Sequence, residues 1–305
     1  MTSTSTNLVF TSEVDMQSMR LLFGCLMLIA ISFAATVRAA DKAPPFYAMD
    51  TSFNRSGLPL DQQFDLVSKL GYSGVAWHEQ APEALGPVLK ALDEHDLKMI
   101  TIYCPLKLTP DGSVTASGVF SEMVKALKGR DTIIWIHFSG KGPAIDSLTA
   151  DSVVIQNLRK IADEVAKQGL RVAIYPHFWE WTQQFADAVK VAQVVDRDNF
   201  GVTFNLCHTL AGGDEAKIPS LLELGRDKLM TVTVCGADAG ITGGKWKQLI
   251  QPLGEGSYDV GIVTRKLREI GYTGSIGFQG YGIKLPAHDL LTRTMNGWRA
   301  LHATP

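Results

Sequence analysis

Eight short runs of apolar and β-branched residues recur along this chain, and an amphipathic segment follows each of them. No other feature constrains the fold as much. The runs are Phe46–Phe53, Ser73–His78, Lys98–Cys104, Ile133–Ser139, Arg171–His177, Gly201–Leu206, Leu229–Cys235 and Ser275–Gln279. The spacing predicts helices over Gln62–Leu70, Glu83–His95, Phe120–Lys128, Ser152–Gln168, Trp181–Val194, Ile218–Leu224, Ile262–Ile270 and Asp289–Leu301. In the fourth of these, Val154, Leu158, Ile161 and Val165 recur three and four residues apart, which marks one buried helix face. Gly71, Gly169 and Gly271 each stand between a helix and the next strand, at the C-cap position.

Eight strand–helix units fit a single closed (β/α)8 TIM barrel, an α/β fold of about 250 residues. An open doubly wound sheet is the competing architecture. It calls for a glycine-rich phosphate loop after the first strand, and Thr51-Ser52-Phe53-Asn54-Arg55-Ser56-Gly57 offers one glycine. No internal repeat or linker interrupts the pattern.

The first 39 residues are read as a segment apart from the fold. Met19 and Arg20 open a nearly apolar run from Leu21 to Val37, closed by Val37-Arg38-Ala39 with small residues where a signal peptidase reads. The expectation is a signal peptide over 1–39, with the natural start at Met19 or Met16, and a barrel over 40–305. The protein is then exported to the periplasm or beyond, with no stable membrane association after cleavage. An uncleaved membrane anchor is the alternative, since the run approaches spanning length. Cys25 stands too early in the run for a lipidation site. Cleavage leaves Cys104, Cys207 and Cys235, an odd number, as small apolar filler or a barrel-end cluster.

With 29 basic and 31 acidic residues, net charge −2, the chain lacks the basic excess of a nucleic-acid or anionic-membrane binder. Two connections are long, Cys104–Gly118 and Gly236–Tyr258. Both follow strands, so both lie at the face where barrels of this kind build their sites. The second carries Gly240, Gly243, Gly244, Gly254 and Gly256 with Lys245, Trp246 and Lys247, and reads as a mobile lid bearing an aromatic or as a plain surface excursion.

A polar side chain in a buried barrel strand is costly unless paired or used. The strand ends hold Asp50, His78 with Glu79, Tyr103, His137, Tyr175 with His177 and Glu180, Asn205 with His208, Asp238, and Gln279 with Tyr281. Amides and imidazoles bond hydroxyl groups, and aromatic rings pack on the C–H faces of sugars, so the ring of groups suits a neutral polyhydroxy ligand. No arginine falls among these strand ends, which argues against a phosphorylated one.

The chain resembles the sugar isomerase/epimerase superfamily with the xylose-isomerase-like TIM barrel. Four stretches carry the resemblance: Leu70-Gly71-Tyr72-Ser73-Gly74-Val75; Val172-Ala173-Ile174-Tyr175-Pro176-His177; Gly201-Val202-Thr203-Phe204-Asn205-Leu206-Cys207-His208; and Pro252-Leu253-Gly254-Glu255-Gly256 with Gly271-Tyr272-Thr273-Gly274-Ser275-Ile276-Gly277-Phe278-Gln279. The resemblance implies a divalent metal (manganese, magnesium or zinc) held by glutamate, aspartate, histidine and glutamate on strands five to eight. Those positions here are Tyr175, Asn205, Thr233 or Cys235, and Gln279. None is a carboxylate, and a hard dication wants anionic oxygen ligands. The expectation is therefore no metal ligand and no cofactor. His208, three residues after Asn205, matches a histidine that touches substrate in the family.

Without a metal, chemistry falls to acid–base groups. His177, His208 and Glu180 are the candidate catalytic residues. Asn205, Gln279, Tyr175, His137, Tyr103, Asp50, His78, Glu79 and Trp246 are the candidate substrate-binding residues. Glu180 is also open to a plain role at the start of the fifth helix, favouring its dipole. Three functions compete: an exported isomerase, epimerase or lyase acting on an unphosphorylated sugar; a catalytically silent carbohydrate-binding barrel; and the family's DNA-repair endonuclease branch, which the charge and the missing carboxylates disfavour.

Overall fold

The computed structural model describes residues 43–303, so the expected signal peptide lies outside the described residues. Eight parallel strands form the barrel: β1 (Phe46–Met49), β2 (Gly74–His78), β3 (Lys98–Leu108), β4 (Ile133–Gly140), β5 (Arg171–Ile174), β6 (Phe200–Asn205), β7 (Leu229–Val234) and β8 (Ile276–Phe278). Each pairs with the next in chain order, and β8 pairs with β1 through Phe46↔Ile276 and Ala48↔Phe278, which closes the cylinder. The open-sheet alternative is thereby excluded.

The helices follow their strands. They are α1 (Leu60–Leu70), α2 (Pro82–Glu94), α3 (Phe120–Ala126), α4 (Val153–Ala166), α5 (Phe185–Val195), α6 (Leu206–Ala211), α7 (Ile218–Gly225), α8 (Trp246–Leu249), α9 (Gly261–Glu269) and α10 (Ala287–Ala303). None of the described helices is long and apolar enough to cross a membrane. On α4, Val154, Leu158 and Val165 are buried with Ile155 and Ala162, while Ile161 is half-buried at the edge of the stripe. Gly71 ends α1 in the left-handed region at φ 93°, where a side chain would be strained. Helix α10 returns to the start of the barrel. Trp298 stacks on Phe46 with ring centroids 4.1 Å apart, and the Tyr72 hydroxyl donates to the Leu291 carbonyl at 2.9 Å.

Strand β3 runs four residues past its expected end at Cys104 and turns back through Val114–Thr115, which pairs antiparallel with it. Proline in a strand removes a ladder donor. Here β2 stops pairing at His78↔Tyr103, so Pro105 has no neighbour on that side and still aligns with His137 on β4. Cys104 therefore sits inside a strand rather than closing one. All three cysteines of the described chain are buried and free.

Two apolar layers hold the fold together. One lies between strands and helices. The other fills the barrel with Tyr47, Met49, Ala76, Ile133, Trp135, Ala173 and Tyr175. A Cβ on Gly277 would lie 2.2 Å from the Tyr47 ring, so β8 needs glycine there for the tyrosine to fit. A buried indole and two hydroxyls of this interior pair with one another. Trp135 Nε1 donates to Thr231 Oγ1 at 2.9 Å, and the Thr203 and Thr231 hydroxyls are 2.8 Å apart. The plug closes the barrel below and gives the strand ends a floor.

Candidate functional site

A cavity of about 610 Å³ opens at the C-terminal ends of the strands. Of the residues proposed from sequence, Asp50, His78, Tyr103, Tyr175, His177, His208, Trp246, Gln279 and Tyr281 line it. Asn205, His137, Glu180, Glu79 and Asp238 do not. Glu79 accepts from the Ser117 hydroxyl at 2.7 Å, and Asp238 accepts from the Ser257 N–H at 3.3 Å.

The β1 side carries the cavity's carboxylate. Asp50 follows β1 in a single 3-10 turn, Asp50–Ser52, and is buried. Its Oδ2 lies 2.5 Å from Nδ1 of His78, at the end of β2, and 3.3 Å from the Asn54 amide nitrogen. The amide nitrogen of Gln80 stands 2.8 Å from the other ring nitrogen of His78. Both nitrogens are thus engaged, with Nδ1–H donating to the carboxylate. Asp50 Oδ1 has no partner among the described residues.

The β5 and β6 side carries a pair of imidazoles, His177 and His208, with centroids 4.2 Å apart. The Phe178 N–H donates to His208 Nδ1 at 3.2 Å, so a neutral His208 carries its proton on Nε2. Burial holds His208 well below the usual imidazole value, and the neighbouring His177 and His137 add to the effect. His177 Nδ1 donates to the Phe178 carbonyl at 3.1 Å, which leaves its Nε2 lone pair free. Burial lowers His177 as well, opposed by the charge of Glu180. The pair therefore presents one acceptor nitrogen and one N–H donor near neutral pH.

Glu180 stands behind this pair. The expectation that it begins the fifth helix is corrected by the structure: α5 starts at Phe185, because Trp179 takes φ 74° and Trp181 Nε1 reaches out to the Pro143 carbonyl at 2.8 Å. The Glu180 carboxylate accepts from His137 Nδ1 at 2.8 Å and from the Phe138 N–H at 2.8 Å, and lies 3.7 Å from His177 Nδ1. The His137 ring stacks on Tyr103, 4.2 Å between centroids. Glu180 and His137 thus brace two lining residues from outside the cavity.

The four positions that the resemblance assigns to a metal are occupied by neutral groups. Thr233 sits inside the barrel, beside Asn205 and Gly277, while Cys235 lies past the end of β7, in the layer between strands and helices, and donates to the Leu249 carbonyl. Gln279 is already used: its amide nitrogen donates to the Tyr175 hydroxyl at 3.1 Å, and Oε1 accepts from the Tyr281 N–H at 3.1 Å. Asn205 Oδ1 accepts from the Cys207 thiol at 3.2 Å. Burial pushes Tyr175 far above the usual phenol value, so it stays a neutral hydroxyl. These donors do not fit a hard dication. Among the described residues, no group of three or more His, Cys, Asp and Glu side chains forms a metal site.

The sequence left part of the wall unread. Thr51, Asn54, Trp77, Trp179 and Ile250 also line the cavity. The proximity of Trp179 to His177 in sequence was the available signal for it. The long Gly236–Tyr258 connection is tied down by backbone bonds between Gly236 and Gln251 in both directions, from the Asp238 N–H to the Gln248 carbonyl, and from the Tyr258 N–H to the Ala237 carbonyl. It sets Trp246 in the wall, 5.2 Å from His208 between ring centroids. No lysine or arginine is among the lining residues.

Residues 64–300 match the family described as the xylose isomerase-like TIM barrel. No curated protein matches the sequence. Solved structures share the fold at low identity. The IolI protein, solved with a bound zinc atom, is 16% identical with a TM-score of 0.65, over 85% of this chain and 98% of that one. The 3-keto-D-glucoside 4-epimerase YcjR of E. coli is 17% identical with a TM-score of 0.59, over 84% and 98%. A xylose isomerase-like TIM barrel/4-hydroxyphenylpyruvate dioxygenase fusion protein is 15% identical with a TM-score of 0.64, over 84% of this chain and 42% of that one.

Proposed function

The chain belongs to the xylose isomerase-like TIM barrel family, and on that premise we propose that it binds an unphosphorylated sugar or sugar derivative and moves a proton at a carbon beside its carbonyl, without a divalent metal. One observation carries this reading. Asp50 and the His177–His208 pair line the same cavity from β1 and from β5–β6, which stand on opposite sides of an eight-stranded barrel. A ligand between them has a carboxylate on one face and an acceptor–donor imidazole pair on the other.

In the proposed reaction His177 Nε2 takes the proton from the carbon, and the C–H electron pair forms the enediolate double bond. The carbonyl oxygen gains the charge, and His208 Nε2–H donates to it. Glu180, 3.7 Å from His177 Nδ1, stabilises the imidazolium. Return of the proton to the former carbonyl carbon, with the hydroxyl proton of the carbon that lost its hydrogen passing to the former carbonyl oxygen, makes the new carbonyl and completes an isomerisation. Delivery of a proton to the opposite face of the same carbon, relayed from water through the Asp50 carboxylate while His177 releases its own proton to water, completes an epimerisation. The absence of lysine and arginine from the lining residues supports an uncharged ligand.

Export is part of the same proposal and rests on the Leu21–Val37 run and Val37-Arg38-Ala39. N-terminal sequencing of the exported protein should return a start near Ala40. Nucleic acid is not the proposed partner, given the net charge of −2.

The test is deuterium incorporation from heavy water into a panel of free aldoses, ketoses and keto-glycosides, followed by NMR with chelator present. Exchange beside the carbonyl, lost in His177→Gln, is the expected result. Saturable binding with no exchange leaves a carbohydrate-recognition barrel and overturns the enzymatic reading.

A further inference from the structure

The most exposed large apolar side chain among the described residues is Trp179, at 68%, and it lines the cavity mouth together with Tyr281, itself half exposed. An indole left in water is unfavourable, and this one is also held in a conformation that disfavours it. Trp179 is at φ 74°, a region bulky residues rarely enter. The surroundings are shaped to keep it there. The Trp179 N–H donates to Gln183 Oε1 at 3.1 Å. Gly244 lies against the indole, and a Cβ at that position would stand 2.5 Å from its Cη2 atom. Trp246 meets Trp179 edge-on, with centroids 5.9 Å apart and planes at 89°. The two indoles make an open corner. Trp246 links that corner to His208, so a path of ring faces runs from the imidazoles to the rim.

Volume points the same way. At about 610 Å³ the cavity has the size of those that take drug-sized ligands, more than a free hexose needs. Space for a second ring remains beyond the acid–base groups, and the corner stands at its outer end.

We propose that Trp179 and Trp246 form a stacking subsite for the second ring of a glycoside, so that the site takes a disaccharide or other neutral glycoside in preference to a free monosaccharide. The inference rests on the carbohydrate reading above and adds the length of the ligand. The apolar faces of a pyranose ring fit an indole surface, and the strained backbone at Trp179 is explained by a role in which the ring must face the ligand.

The test is titration of the full chain with glucose, galactose, mannose and xylose against cellobiose, lactose, mannobiose and xylobiose, by calorimetry and by tryptophan fluorescence. The best-bound disaccharide should bind at least tenfold more tightly than its monosaccharide. Trp179→Gly should remove most of that ratio, with a larger loss of affinity for the disaccharide than for the monosaccharide. Glycine accepts φ 74° without strain, so this variant should melt no lower than the parent. Equal affinity for the two lengths, or an unchanged ratio in Trp179→Gly, overturns this inference alone. Failure of any sugar of either length to bind overturns the carbohydrate reading and this inference with it.

Discussion

The Phe178 backbone N–H donates to Nδ1 of His208 across 3.2 Å, and that one bond fixes which nitrogen of His208 the cavity sees. A neutral imidazole bonded in this way at Nδ1 presents Nε2–H, a donor suited to a carbonyl or hydroxyl oxygen. His208→Ala should weaken binding of the best sugar by about 1–3 kcal/mol, the cost of a ligand oxygen left without its buried partner. Calorimetry checks it, and unchanged affinity would place His208 outside the binding contacts.

Stability should fall on acidification. Folding lowers His208 and His177, chiefly by burial. Between the folded values and the unfolded imidazole value of about 6.5, the unfolded chain binds more protons, so stability rises with pH across that window. The contribution is complete above the unfolded value and is lost as pH drops through the folded ones. Thermal melts from pH 7.5 to pH 5 should show a falling Tm, with a shallower fall in His208→Gln.

Chelation should leave Tm and sugar binding unchanged, and elemental analysis should find no stoichiometric divalent metal. The oxygens of Asn205 and Gln279 already accept bonds from the protein. Asn205→Asp with Gln279→Glu should raise metal affinity, and should lower stability without metal, because two carboxylates in one barrel mouth repel. One tightly held manganese, magnesium or zinc per wild-type chain would falsify the metal-free reading.

The barrel plug should be sensitive to one hydroxyl. Thr231 accepts from the indole N–H of Trp135 at 2.9 Å and lies 2.8 Å from the Thr203 hydroxyl. Thr231→Val keeps the shape and strands both partners in a buried site. Denaturant titration should show a loss of about 1–3 kcal/mol, while Thr203→Val, which leaves the indole paired, should lose less.

The barrel was legible in the sequence because strand and helix periods alternate cleanly and glycine closes the joints, as Gly71 does at φ 93°. Local chemistry misled where context decided. The expected third strand ends at Cys104, yet β3 continues through Pro105 because the neighbouring strand has already stopped. The polar strand ends were legible as a ring, but sequence distance cannot separate a residue that lines a cavity from one that braces it. Glu180 looks like a pocket carboxylate until its oxygens are seen on His137 and the Phe138 N–H. Only its place two residues after His177 pointed to Trp179, because a tryptophan carries no sign that its backbone will turn left-handed.

The aromatic plug of Tyr47, Trp135 and Tyr175 has a kinetic consequence. The barrel is filled below, so on the proposed reading substrate and product use the same mouth, and arrival and departure exclude each other. A product that lingers blocks the next molecule from the same side, so product inhibition should be competitive with substrate. A glycoside held as proposed would release its outer ring from Trp179 first, which would tie turnover to the grip at the rim.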